Sequence, residues 1–217
     1  PAQEWMTCVG RLAFPIFAFM IAEGCYYTSN VKKYMLRLFL FAIISEIPFN
    51  LIMGSSVFYP FHQNVLWTFL LGVLSIQIIE KAKKKQKKWI SFFVVCLVLL
   101  MDFLLGTITM VDYNAAGILT VLLFYFFRKK TWISFAAQLV GLYYLNVVML
   151  GNLYYPVTIL GHHFEIAQQS FALLALIPIW LYHGEQGYHS KWFKYFCYAF
   201  YPVHLLILVV IWQWRIR

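Results

Sequence analysis

The sequence predicts an all-α fold, a polytopic bundle of about eight helices crossing a lipid bilayer, organised as a single domain over residues 1–217. Three observations lead there. Of 217 residues, 63% are hydrophobic and only 12% charged, about half the charged share of an ordinary soluble domain. Apolar runs recur along the whole chain at lengths that suit helices of about 20 residues across a core of about 30 Å, whereas barrel strands would need only about ten. Three short basic segments, TSNVKK at 28–33, KAKKKQKK at 81–88 and RKK at 128–130, punctuate these runs as connectors.

The connectors place spans at 8–27, 33–53, 64–80, 89–105, 113–127, 131–150, 166–182 and 191–214. Alternating sides from span to span gathers Lys32, Lys33, Arg37, the six lysines of 81–88, Arg128, Lys129, Lys130, Lys191 and Lys194 on one face, 14 of the 17 basic residues. By the positive-inside rule that face is cytoplasmic, which predicts a multi-pass protein of the cytoplasmic membrane with basic loops 28–33, 81–88, 128–130 and 183–194 inside. The net charge of +9 then expresses topology and calls for no nucleic-acid partner. Cys8, Cys25, Cys96 and Cys197 show no CxxC spacing, so neither a disulfide framework nor a metal site is expected. The chain begins on the outer side, which leads us to expect a further helix upstream.

Ionisable groups inside such spans cost roughly 2.5–3.5 kcal/mol each and face partners or act. In the first span, Arg11 sits at a break, because Pro15 has no N–H to return to the Arg11 carbonyl. Glu23 and Gly24 lie near the cytoplasmic end of the same span, too far from Arg11 to pair, and by depth Arg37 and Lys33 of the second span are the expected partners of Glu23. In the second span, ISEIPFN at 44–50 puts Glu46 two residues before Pro48, with Arg11 its natural partner by depth. A desolvated carboxylate beside a helix opening is functional about as often as structural. Asp102 in LLMDFLLG is expected to snorkel from the outer edge of its span. Asp112, beside Tyr113 and Asn114, reads as the N-cap of the fifth span.

His204, in FYPVHLLILVV, lies near the midplane, about 15 Å from the basic residues flanking its span. Tyr201, Cys197 and Lys194 fall on its side of the helix, a polar stripe that reads as a cavity wall, while Pro202 frees the Tyr198 carbonyl. The plain alternative is a kinked packing helix. Adjacent His162 and His163, followed by Glu165, are expected to point about 100° apart on a helix, which disfavours a shared metal ion. HGEQG at 183–187 reads as a turn or as a loop whose backbone amides approach a phosphate.

The blocks GRLAFPIFAFMIAEGCYYTSNVKKYMLRLFLFAIISEIPFNL at 10–51, DYNAAGILTVLLFYFFR at 112–128 and KYFCYAFYPVHLLIL at 194–208 resemble the TraX family, the conjugative-pilin N-acetylase type, over nearly the whole chain. The family is similar in outline to transmembrane acyltransferases that use cytosolic acetyl-CoA. The family's characteristic residues stand here as Gly10-Arg11, Phe14-Pro15, Glu23-Gly24, Thr28, Asn30, Tyr34, Arg37, Glu46 with Pro48, Asp112-Tyr113, Tyr201-Pro202 and His204. The family's Asn-Gly-Glu-Arg-Gly loop is His183-Gly184-Glu185-Gln186-Gly187 here, so no basic residue is carried over at that loop. The resemblance also implies an Asp-His pair on a helix upstream of residue 1.

The resemblance thus implies an acetyltransferase with acetyl-CoA as co-substrate and no metal. Its expected acceptor is an amine such as a pilin or peptide N-terminus. His204 is the expected base, less readily an acetyl carrier. Tyr201 donates to the oxyanion, and Arg11 and Glu46, with Asp112 on the same outer half, receive and orient the acceptor. The coenzyme's phosphates stay at the cytoplasmic mouth near Lys33, Arg37, Lys191 and Lys194, alongside Asn30, Tyr34 and Glu23, and its pantetheine arm runs along Lys194, Cys197 and Tyr201 inward. O-acetylation of a glycan or lipid needs the same donor site. A small proton-coupled transporter relaying through Glu23, Glu46, Asp112 and His204 is the reading from another class.

Overall fold

The computed structural model describes residues 2–151, 153–159, 162–185, 187 and 190–216, and within these the side chains of 2–5, 157–159, 164, 191, 194, 215 and 216 lie outside the description. The first predicted span divides into α1 (Ala2–Gly10) and α2 (Ala13–Tyr27), parted at Arg11 and Leu12 where Pro15 withholds its backbone donor. Helix α3 (Val31–Gly54) begins at Asn30, whose side chain accepts from the Lys33 amide at 3.0 Å. Helix α4 (Val65–Lys85) begins at Asn64, which accepts from the Leu66 amide at 3.1 Å. Then come α5 (Lys88–Ile108), α6 (Asn114–Phe126) and α7 (Trp132–Leu142), the last running on as a π-helical segment, Tyr143–Met149.

Strands β1 (Tyr154–Ile159) and β2 (His162–Ala167) pair antiparallel, with Tyr154 opposite Ala167 and Ile159 opposite His162. A 3₁₀ segment, Gln168–Ala175, leads into α8 (Leu176–Leu181), and α9 (Lys191–Ile216) closes the described chain. Two expectations change here. Residues 154–167 form a hairpin, so His162 and His163 are strand neighbours on opposite faces and not helical ones. The seventh span begins as a 3₁₀ segment and is not a continuous α-helix.

Six helical stretches, Met6–Tyr27, Val31–Gly54, Val65–Lys85, Lys88–Ile108, Trp132–Met149 and Tyr195–Trp214, are long and apolar enough to cross a bilayer. Asn114–Phe126 and Gln168–Leu181, shorter apolar helices, occupy the places of the other two predicted spans. The protein is a multi-pass helical bundle.

Helix α6 lies at its centre, touching α2, α4, α5 and α7. It is apolar on nearly every side, and Ile118, Val121 and Phe124 are fully buried, as expected of a helix surrounded by others. The α5–α6 contact is backbone to backbone, since a Cβ on Gly106 would lie 2.5 Å from the Ala115 amide nitrogen. Helix α9 packs chiefly on α3, burying Pro202, Leu205 and Val209.

The 13 residues of α6 rise only about 20 Å against a core of about 30 Å. Non-helical backbone, residues 109–113, precedes its N-terminal end. Such backbone persists within a membrane only where protein satisfies it. Gln63 does so, donating its amide to the Met110 carbonyl and accepting the Asp112 amide, both at 3.0 Å.

Candidate functional site

The polar cluster at the N-terminal end of α6 assembles residues from several places in the chain. Glu46 Oε2, from α3, accepts Trp67 Nε1–H at 3.0 Å and Asn64 Nδ2–H, while Glu46 Oε1 is buried with no partner. Asn64, fully buried, also donates to the Ala42 carbonyl at 2.9 Å, which pins the start of α4 against α3. His62 Nε2 donates to Asp112 Oδ1 at 3.4 Å, and the same oxygen accepts the Tyr113 amide at 3.1 Å. The hydrogen bond that His62 donates to Asp112, reinforced by the charges of Asp112 and Glu46 against some desolvation, lifts the His62 pKa above the ordinary imidazole value. Thr68 Oγ1 donates to the Asp112 carbonyl at 2.6 Å.

Tyr113 and Asn114 hold positive φ angles of 62° and 47°, a conformation that costs non-glycine residues energy and that neighbours must impose. Stacking of Tyr113 on Phe14 at 3.8 Å supplies one such constraint. Tyr201, from α9, stands by the Val65 backbone within electrostatic range of Asp112, Glu46 and Tyr113.

Arg11 completes the cluster on the α2 side. Its Nη2 donates to Gln168 Oε1 at 3.2 Å, its charge lies within electrostatic range of Tyr113, and its Nε is buried without a partner. Gln168 in turn donates to the Tyr155 hydroxyl at 2.9 Å. The expected Arg11–Glu46 ion pair is thus replaced by two separate arrangements with neutral partners, because the segments carrying Asn64, Trp67 and Gln168 fold between them. Asp112 is not the N-cap of α6 either, since Tyr113 occupies that position and the carboxylate serves His62.

A second site lies at the basic end. A cavity of about 930 Å³ runs along α2 from Thr28 to Ile16, walled opposite by Pro178, Ile179 and Tyr182. A smaller one of about 190 Å³ adjoins it and adds Arg128, Lys130 and His183. Glu23 Oε1 accepts Arg128 Nε–H at 3.3 Å, and the Arg128 guanidinium stacks over Tyr26 at 3.3 Å. Lys130 Nζ donates to the Trp180 carbonyl at 3.0 Å and to that of Tyr182. Gly184, with φ +80°, forms part of both walls.

The remaining expected residues are placed differently. Glu23 pairs with Arg128 and not with Arg37 or Lys33. Arg37 Nε donates to the Tyr198 hydroxyl at 3.0 Å, joining α3 to α9. Tyr34 is buried against Gly24 and donates to the Ile21 carbonyl at 3.4 Å, Asn30 caps α3 and Lys33 is exposed. Cys197 is exposed, and α9 packs chiefly on α3. The side chains of Lys191 and Lys194, and Gln186, lie outside the described residues. His204 Nδ1–H donates to the Phe200 carbonyl at 3.3 Å and its ring stacks on Phe200. Asp102 is buried, not snorkelling, and accepts from Ser75 Oγ at 2.6 Å.

Sequence reasoning passes over His62, Asn64, Trp67, Gln168 and Arg128. The HQN triplet directly before an apolar run is the available signal, since polar side chains at a span's edge either cap it or are carried inward. Among the described residues no group of three or more His, Cys, Asp or Glu side chains is arranged to hold a metal ion.

Comparison with known proteins bears out the family resemblance. Residues 1–212 match the family model described as TraX protein. The chain is similar to a protein of Dichelobacter nodosus described as probable fimbrial assembly protein FimC, serogroup H1, at 26% identity over 213 residues covering 94% of this chain and 82% of that protein. No solved structure matches it. With the family model matched over nearly its whole length, the chain belongs to the TraX family.

Proposed function

We propose that this protein is an acetyltransferase of the cytoplasmic membrane, moving the acetyl group of cytosolic acetyl-CoA to an acceptor amine such as a pilin or peptide N-terminus. The observation that carries the reading is the apolar groove along α2, with Arg128 and Lys130 beside its basic end. Coenzyme A carries charged phosphates that stay out of hydrocarbon, and only its pantetheine arm suits a groove walled by Ile16, Phe19, Met20 and Ile179. Arg128, Lys130 and the backbone about Gly184 flank the mouth where the phosphates would rest. The similar Dichelobacter nodosus protein's description as a probable fimbrial assembly protein favours a pilin-type acceptor.

In this reading the amine nitrogen attacks the thioester carbonyl carbon, the N–C bond forms, and the C–S bond breaks to release the coenzyme thiolate. The unpartnered Arg11 Nε–H, with the Tyr201 hydroxyl, donates to the developing oxyanion. A histidine takes the amine proton, and the coenzyme thiolate leaves to be protonated by water. Of two candidates, His62 is favoured over His204, because Asp112 fixes Nε2 as the donor and leaves the Nδ1 lone pair free with enhanced basicity.

The test is release of coenzyme thiol by purified protein in lipid nanodiscs, with and without a peptide bearing a free N-terminus. Peptide-dependent release is expected, reduced roughly 10²–10⁴-fold in His62→Gln. Undiminished release in that variant, with loss in His204→Ala, would return the base to His204. Absence of release from the wild type would contradict acetyl transfer.

A further inference from the structure

We propose that Lys33 and Arg37, on the face of α3 beside α9, form a binding site for the headgroup of an anionic phospholipid, whose acyl chain lies along Leu40 and Ile44.

Arg37 stands six residues inside α3, which begins at Val31, or about 9 Å along the axis from its basic end. A guanidinium keeps its charge at that depth. Snorkelling toward water does not describe it, because its Nε donates to the Tyr198 hydroxyl at 3.0 Å. Tyr198 lies seven residues into α9, which begins at Lys191, a matching distance of about 10 Å. The bond therefore runs sideways from helix to helix and holds the guanidinium at its own level. The rings of Tyr34 and Tyr198 have their centres 5.9 and 5.8 Å from its central carbon, a contact that favours the cation without neutralising it. Among the described residues Arg37 has no carboxylate partner, and its two Nη groups make no hydrogen bond. An ionised side chain within a span ordinarily pairs, so an anion is the missing component.

The residues around Arg37 give that anion its shape. Lys33, Arg37, Leu40 and Ile44 recur at helical spacing and form one stripe along α3. Lys33, Leu40 and Ile44 are exposed and Arg37 is half-buried. From the basic end inward the stripe reads cation, cation, apolar, apolar, the order in which a phospholipid presents its phosphate and then its chain. A phosphate takes the two free Nη groups of Arg37 as a fork, and Lys33 adds charge one turn nearer the water. The Tyr198 hydroxyl, which accepts from Arg37, keeps its own hydrogen for a phosphate oxygen. Arg128 and Lys130, the cations of the groove along α2, belong to other elements. A water-soluble phosphate compound would leave Leu40 and Ile44 uncovered, and a zwitterionic lipid would bring a second cation up to Lys33 and Arg37.

The experiment photolabels the protein in phosphatidylcholine nanodiscs doped with phosphatidylglycerol that carries a photoreactive acyl chain, and maps the label by peptide mass spectrometry. Label is expected on α3 within residues 33–44, about tenfold above that from the matching phosphatidylcholine probe. Arg37→Gln should remove this preference, and Arg37→Lys should keep part of it, since an ammonium pairs only as a point charge. Equal labelling by the two probes, label confined to the lysine run 81–88, or a preference that survives Arg37→Gln would overturn the inference. Loss of the α3 label on adding coenzyme A would overturn it too, by assigning these cations to the coenzyme's phosphates. The two-probe comparison uses the wild type alone, so a folding defect in Arg37→Gln leaves the test decisive. None of these outcomes depends on acetyl transfer.

Discussion

His62 Nε2 stands 3.4 Å from Asp112 Oδ1, joining the loop after α3 to the turn before α6 across 50 positions of sequence. The link is also a titratable one. Because Asp112 raises the His62 pKa, the pair stabilises the fold fully below the unfolded imidazole value of about 6.5 and loses that contribution as pH rises through the higher folded value. Thermal unfolding of wild type and His62→Gln in detergent should therefore differ most near pH 5.5 and converge by about pH 9. Both side chains are partly exposed, at 38% and 29%, so the effect should be no more than about 1 kcal/mol. A difference that grows with pH would contradict the pairing.

The Glu23–Arg128 pair stands beside the groove with side chains 15% and 22% exposed. Glu23→Gln leaves the guanidinium of Arg128 over Tyr26 with no carboxylate. We expect a loss of about 1–3 kcal/mol, measured by thermal unfolding. A double-mutant cycle with Arg128→Gln should return a coupling of about 0.5–3 kcal/mol. Additive losses would mean that the two groups do not interact.

Ser75 is the hydrogen-bond donor to the buried Asp102 carboxyl. Ser75→Ala should cost about 1–3 kcal/mol, because it strands a polar group between α4 and α5, while the combined Ser75→Ala and Asp102→Leu replacement should be closer to neutral. If the double variant is the less stable of the two, Asp102 has a role beyond this bond.

Gly106 permits the backbone approach of α5 to α6, whereas a Cβ on Gly10 would meet nothing within 4 Å. Gly106→Ala should destabilise by about 1–3 kcal/mol through forced separation of the helices. Gly10→Ala should be neutral or slightly stabilising. Equal effects at the two positions would argue against close α5–α6 packing.

The spans are legible in the sequence because apolar runs and lysine punctuation follow directly from bilayer thickness and charge. Arg11 at its break is legible too, since Pro15 acts on its own helix. Partners are not. Depth alone nominates Arg37 for Glu23 and Arg11 for Glu46. Depth leaves angular position undetermined, however, and the bundle brings Arg128 around from 105 positions away while Asn64 and Trp67 reach Glu46 first. Which neighbour a residue of α9 meets is likewise decided by packing, which sets Tyr201 beside Val65 at the start of α4. The short α6 explains why His62 and Asn64 matter: the loop before α4 folds inward to complete it, a consequence of three-dimensional fit.

The most direct measurement is mass spectrometry of a pilin-type peptide after incubation with acetyl-CoA and the purified protein in nanodiscs. Acetylation confined to the N-terminal amine, abolished in Arg11→Ala and Glu46→Gln, is the predicted result. An unmodified peptide, or acetyl groups on hydroxyls with the amine left free, would contradict the proposed function.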